Sequence, residues 1–296
     1  MPHSRIRHLD AARATPLIAA AEFESSVSIW DVETGNLISC FDTPMDFGGR
    51  RLAISADGEW CACGSYNQLI LVVYHARTGH VAWERRGLDP IQRVRISVRQ
   101  RLVYAYFEDR FGMSFDLASG ETRDELIRAE FHYESPSGRL VALDRPPGIE
   151  LHISSPRRRC VRLRRKTFAA LDVALSDDLA ILTESGGPIS CYSAIDGTPS
   201  WEWAPGDGVH ALRLSIHEGR GEVLAVIWPY QHGGASELVA LDTSTGHVRR
   251  IFSLGDFAVD TCFVNEGDLL VSSQGEVTNT LTGNIERRLA FPFSEA

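Results

Sequence analysis

A strand, a glycine turn and a second strand recur along this chain, and that recurrence limits its fold more than composition does. The clearest copy runs from Val27 to Gly35, Val-Ser-Ile-Trp-Asp-Val-Glu-Thr-Gly, and turns into a second strand from Asn36 to Phe41. Related copies end at Gly79, Gly120, Gly197, Gly246 and Gly283, with a degraded one near Arg157. A period of about 40 residues holds four short strands, which cannot bury both faces alone. Units of that size pack side by side as blades around an axis, the plan of a β-propeller.

Each unit reads strand a, a tight polar turn, strand b, a loop, strand c, the glycine turn and strand d. The a–b half can be laid out seven times, with turns such as Ser55-Ala-Asp-Gly58, Ser135-Pro-Ser-Gly138, Ser176-Asp-Asp178 and Asn265-Glu-Gly-Asp268. These residues suit tight reversals and positive φ. Apolar residues alternate in Leu102–Phe107 and run on from Leu69 to Val73, as expected of strands buried on both faces. The expectation is an all-β, seven-bladed propeller of four-stranded antiparallel blades in one domain, 1–296. The blades fall near 5–41, 50–86, 92–127, 130–164, 169–203, 209–253 and 258–291. The first has its own strand a near Ile6 to Asp10 and the last its own strand d from Ile285 to Ala290, so no strand is expected to be shared at closure. The one stretch suited to a helix is Glu121 to Glu130.

Four short tracts carry a resemblance. Ile29-Trp30-Asp31 followed by Thr34-Gly35 resembles the end of a WD repeat. Ala76-Arg77-Thr78-Gly79 with Trp83, Asp196-Gly197 with Trp201, and Ala240-Leu241-Asp242 through Gly246 are similar to the repeat of pyrroloquinoline-quinone dehydrogenases and their cofactor-free relatives. The resemblance spans nearly the whole chain as a pattern and implies a propeller of the broad WD-repeat and quinoprotein-like group. The aspartate four before the glycine stands at 31, 116 and 242 but becomes His75, Ser193 and Asn279 elsewhere, and the Gly-His pair that opens WD repeats is missing. Trp83 and Trp201 are expected on strand d against the neighbouring blade.

The net charge of −9 argues against a nucleic-acid binder and fits a basic protein partner. No run approaches the roughly 18 apolar residues of a membrane span, and Leu17 to Ala21 is too short for a secretory apolar core. Six cysteines without Cys-x-x-Cys or metal spacing read as small buried residues in a reducing, cytoplasmic setting. Lys166 is the only lysine, an arginine bias that hints at a GC-rich bacterial genome. The basic run from Pro156 to Lys166 coincides with the turn and strand d of the fourth blade, where charge deters edge-to-edge pairing.

No nucleophile elbow, His-Glu-x-x-His, phosphate loop or calcium loop is present, so no catalytic residue, metal ligand or cofactor is assigned. The loops joining strands b to c and d to a share one face and mix aromatics with carboxylates: Phe23, Glu24, Glu108, Asp109, Phe111, Asp207, His210, Asp256 and Asp260. The longest, in the sixth blade, adds Trp228, Tyr230 and His232 with Gly233 and Gly234. Long loops on a rigid scaffold suit recognition, and aromatics make binding hot spots. The leading expectation is a non-catalytic protein-binding scaffold, monomeric or in a one-to-one complex. Its concrete form is a bacterial inhibitor or immunity-type partner of a basic toxin or enzyme. The alternatives are a lactonase-like propeller hydrolase using channel residues and a small-ligand sensor.

Overall fold

A computed structural model of the chain describes residues 6–22, 26–43, 51–108, 111–129, 131–145, 148–153, 159–164, 170–184, 187–206, 209–229, 235–254 and 260–291. Seven antiparallel sheets of four strands follow one another, each with its strands in sequence order. The inner strands, a, are Ile6–Ala11, Leu52–Ile54, Ile91–Ser97, Phe131–Glu134, Ala170–Leu175, Val209–His217 and Thr261–Val264. The outer strands, d, are Leu37–Asp42, Val81–Arg86, Thr122–Ile127, Arg159–Arg164, Pro199–Trp203, Val248–Ser253 and Ile285–Arg288. Among the described residues no helix is long and apolar enough to cross a membrane.

Burial follows position in the blade. Strand b of blade 1, Leu17–Glu22, is buried along its whole length, whereas strand d of blade 6, Val248–Ser253, alternates between exposed and half-buried residues. Alanines recur on the b strands (Ala19 to Ala21, Ala62, Ala105, Ala142, Ala180 and Ala225), all buried. Small residues there let blades approach closely where the ring narrows.

The glycine turns explain the repeat. Each closes with a hydrogen bond from the glycine N–H to the carbonyl four residues earlier, as in Gly120 to Asp116 at 2.8 Å and Gly79 to His75 at 2.8 Å. Where the earlier residue is Asp or Asn, its side chain also accepts main-chain N–H groups: Asp242 Oδ1 takes those of Ser244 and Thr245. Each glycine has positive φ, and most also lack room for a Cβ. A Cβ on Gly120 would lie 2.6 Å from the Trp83 ring, and one on Gly246 2.6 Å from the Trp201 ring. Strand d of one blade thus sets a ring on the glycine turn of the next, as expected. The indole N–H groups lock the contact, Trp83 donating to Leu117 O at 2.9 Å and Trp201 to Thr243 O at 2.8 Å.

Blades 7 and 1 close the ring without sharing a strand, as expected. Ile6, Leu9, Ile18 and Trp30 share a buried cluster with Cys262, Val271, Leu289 and Phe291, and Trp30 meets Phe291 edge to face at 5.7 Å.

Two expectations fail. The stretch from Glu121 to Glu130 holds no described helix: residues Thr122–Ile127 form strand d of blade 3, tied by Asp124 N–H to Ser114 Oγ at 3.1 Å. A helix of ten residues has little stability alone, and completing the sheet satisfies its backbone better. The cysteines are not uniformly buried: Cys61, Cys63, Cys191 and Cys262 are, while Cys40 and Cys160 lie exposed on outer strands.

Candidate functional site

Polar residues on the inner strands face a common axis, because every blade presents its strand a there. All seven blades line a channel cavity of about 200 Å³. Its charged groups are Asp10 and Arg13 from blade 1, Arg95 from blade 3, Asp172 from blade 5, Arg213 and Glu218 from blade 6, and Asp260 and Glu266 from blade 7, with His8 beside them.

Three of the aspartates stitch one inner strand to the next. Asp10 Oδ2 accepts from Ile54 N–H at 2.9 Å, Asp172 Oδ2 from Leu214 N–H at 2.8 Å, and Asp260 Oδ2 from Leu9 N–H at 3.1 Å. The last joins blade 7 to blade 1. Arg213, on strand a of blade 6, ties that blade to blade 7, reaching Asp260 Oδ1 at 2.5 Å and Thr261 O at 2.9 Å. Burial would raise the Asp260 pKa, but Arg213, His8 and the Leu9 N–H outweigh it and hold the carboxyl down at about 2. Burial opposes the charge of Arg213 likewise, and Asp260, Asp172 and Asp10 together keep it firmly protonated.

The opposite wall is basic. Arg13 Nη1 donates to Glu134 O on blade 4, spanning the channel. Arg95 lies 3.7 Å from Asp10, and the guanidinium carbons of Arg93 and Arg95 stand 5.0 and 5.2 Å from the centre of the Phe131 ring. His132, buried next to Phe131, pairs its Nδ1 with Tyr106 Oη at 2.8 Å. Burial chiefly, then the charges of Arg95 and Arg13, lower its pKa to about 3, so it stays neutral and shares a hydrogen bond with the phenol.

The described loop residues singled out from sequence lie apart from this cluster, with one exception. Asp260 is that exception, committed to Arg213 and Leu9. Glu108 is exposed and accepts from Tyr66 Oη at 2.5 Å, and Phe111 packs on Phe107 with ring centres 5.2 Å apart, both in blade 3. In blade 6, Trp228 and His210 face each other across strands a and b, both half-buried. Phe23, Glu24, Asp109, Asp207, Tyr230, His232 and Asp256 lie outside the described residues. Sequence reasoning missed Asp10, Arg13, Arg95, Asp172 and Arg213. Their trace was a charge between apolar neighbours on an inner strand, as in Leu9-Asp10-Ala11, Val94-Arg95-Ile96 and Leu212-Arg213-Leu214.

Among the described residues, Glu150, His152 and Cys160 of blade 4 bring their ligand atoms within 4.8 Å of one another. Arg145 and Arg162 already hold the Glu150 oxygens at 2.6 and 2.7 Å. Two guanidiniums on the carboxylate repel a metal cation, so the group acts as an ion-pair network on the blade face.

No protein-family model and no curated protein sequence matches the chain. Its fold does have solved counterparts. It is similar to the WD40 repeats of RRP9, with a TM-score of 0.67 at 14% identity over 96% of this chain and 90% of that one. It is also similar to the dihydro-heme d1 dehydrogenase NirN in complex with DHE, at 0.65 and 16% over 95% of this chain and 65% of that one. A chain of the mitotic checkpoint complex matches at 0.71 and 11%, over 92% of this chain and 85% of that one. The seven four-stranded blades and these neighbours agree: in fold, the chain is a seven-bladed β-propeller, similar to solved propellers that include WD40 repeats.

Proposed function

We propose that this propeller is a protein-binding scaffold. The observation that carries the reading is the use made of the channel aspartates. Asp10, Asp172 and Asp260 each bond the main chain of a neighbouring blade, which commits these carboxylates to holding the ring together. A rigid ring with polar and aromatic loops suits recognition better than turnover. One structural neighbour comes from the mitotic checkpoint complex, so a ring of this shape serves in a multiprotein assembly.

The net charge of −9 favours a basic partner, through association rate and with marked salt sensitivity. An inhibitor or immunity-type pairing with a basic toxin or enzyme is the specific form proposed. The docking face is the one carrying the b–c and d–a loops, centred on the sixth-blade loop that follows Trp228. The chain isolated from its native cell should elute with a protein in fixed ratio. Trp228→Ala should weaken that complex at least tenfold, with the melting temperature within a few degrees of wild type. A chain that elutes alone, or a variant that binds as well as wild type, would overturn the reading or its docking face respectively.

A further inference from the structure

Every blade ends in an outer strand whose far side is a sheet edge, and these edges are not alike. Among the described residues, the pairing of strands c and d slips its register in blades 1, 2, 3, 5, 6 and 7. Such irregularities bend a strand and blunt its edge against further pairing. Blade 4 is the exception. Its strand c, Gly148–Ile153, meets strand d, Arg159–Arg164, residue for residue, from Gly148 opposite Arg164 to Ile153 opposite Arg159. No fifth described strand covers the other side of that strand d.

Charge sets the same edge apart. Strand d of blade 4 reads Arg-Cys-Val-Arg-Leu-Arg, with three arginines and no carboxylate. Five of the other outer strands contain an acidic residue, among them Asp42, Glu84, Asp124, Glu202 and Glu286. The sixth, in blade 6, has Arg249 and Arg250, and Glu222 accepts from both. Beside the blade 4 edge stand Glu150 on strand c and Asp196 on the blade 5 turn that packs on Val161. Glu150 is buried and shared by Arg145 and Arg162, and Asp196 accepts from Thr198. The Arg162 side chain nonetheless stays 81% exposed, so the rest of its guanidinium faces solvent. Arg145 and the three arginines of strand d outnumber these two carboxylates, and the edge is positive.

We propose that strand d of blade 4 is a docking edge for an acidic, extended segment of another protein, which adds to the blade as a fifth strand. Main-chain hydrogen bonds supply the affinity of a strand added in this way, and alternate side chains its specificity. The occupant follows from the charge. Two copies of this edge bring six arginines together, which disfavours self-pairing. Carboxylates on alternate residues of a partner instead meet Arg162 and Arg164, which share one face of the strand. Cys160 is exposed on that face and opposes them with neither charge nor bulk. The edge lies on the outer rim, apart from the loops of the proposed docking face, so either reading can fail without the other.

Fluorescence anisotropy in low-salt buffer tests this on the full chain, with a labelled peptide, Thr-Val-Glu-Val-Glu-Val-Glu-Thr. Saturable one-to-one binding is expected, and the same peptide with lysine in place of glutamate should not bind. Two further peptides carry N-methyl groups, one on its valines and the other on its glutamates. The N–H groups of alternate residues point to the same edge of a strand. One methylated peptide should therefore lose at least tenfold in affinity while the other stays within threefold of the parent. Arg162→Gln and Arg159→Gln should each weaken binding of the parent peptide at least threefold; if the first melts early, the second carries the comparison. Arg86→Gln on strand d of blade 2, and Trp228→Ala on the proposed docking face, should leave it within twofold. Absence of saturable binding, a lysine peptide that binds as well, equal binding by the two methylated peptides, or equal loss in Arg86→Gln and the blade 4 variants would overturn the docking edge.

Discussion

Gly120 and Gly87 share a left-handed backbone, with φ of +68° and +73°, and differ in surroundings. A Cβ on Gly87 meets nothing within 4 Å, whereas one on Gly120 runs into the Trp83 indole. Gly87→Ala should therefore cost about 1 kcal/mol, the backbone penalty alone. Gly120→Ala adds overpacking and should cost about 3 kcal/mol. Denaturant unfolding distinguishes them, and equal costs would remove the docking role given to the turn. Asp260 gives a second test at this scale. Its pKa falls from 3.8 to about 2 on folding, so the unfolded chain takes up the proton first as pH drops. The stabilisation is full above about pH 4 and is lost as pH falls toward 2, a change of about 2 kcal/mol. Asp260→Asn should abolish that part of the acid profile. It should also cost about 3 kcal/mol near pH 7, because Arg213 is left without its partner.

A blade is legible in the sequence where its chemistry is local. The glycine turns stood out because one residue supplies positive φ and makes room for a neighbour's ring. The aspartate before them varies because the turn is closed by a main-chain carbonyl, which His75 and Ser193 supply as well as Asp116 does. The indole contacts between blades carry their own test. Trp201→Phe keeps most of the packed area and removes the N–H bond to Thr243 O, and should cost about 1 kcal/mol. A loss like that expected for Trp201→Ala, about 4 kcal/mol, would instead put the whole effect in ring shape. Strand d of blade 3 was misread because Glu, Leu, Arg and Ala are good helix formers, and propensity gave way to the empty edge of a sheet. The channel cluster was hidden for a different reason. Arg13 meets a residue 121 positions away and Leu9 one 251 away, separations that only ring closure can bridge.

At the scale of the whole molecule the joint between blades 7 and 1 decides how the ring opens. Among the described residues no strand crosses it, so side chains and the Asp260 bonds hold it. Phe291→Ala should cost about 3 kcal/mol. Amide exchange should then accelerate in blades 1 and 7 before the others; uniform acceleration would mean that the ring melts as one unit. The stitch at this joint is also the stitch between blades 5 and 6, an aspartate on one inner strand accepting an N–H from the next. A circle whose clasp is made like its other links keeps no memory of where the thread was cut. Ile6 and Leu289 already lie in one cluster, so a short peptide can link blade 7 to blade 1 there, and new ends can be opened between Gly87 and Ile91, where the chain passes from blade 2 to blade 3. Such a permuted chain should give the same circular dichroism spectrum and retain cooperative unfolding, its order of blades rotated and its ring unchanged.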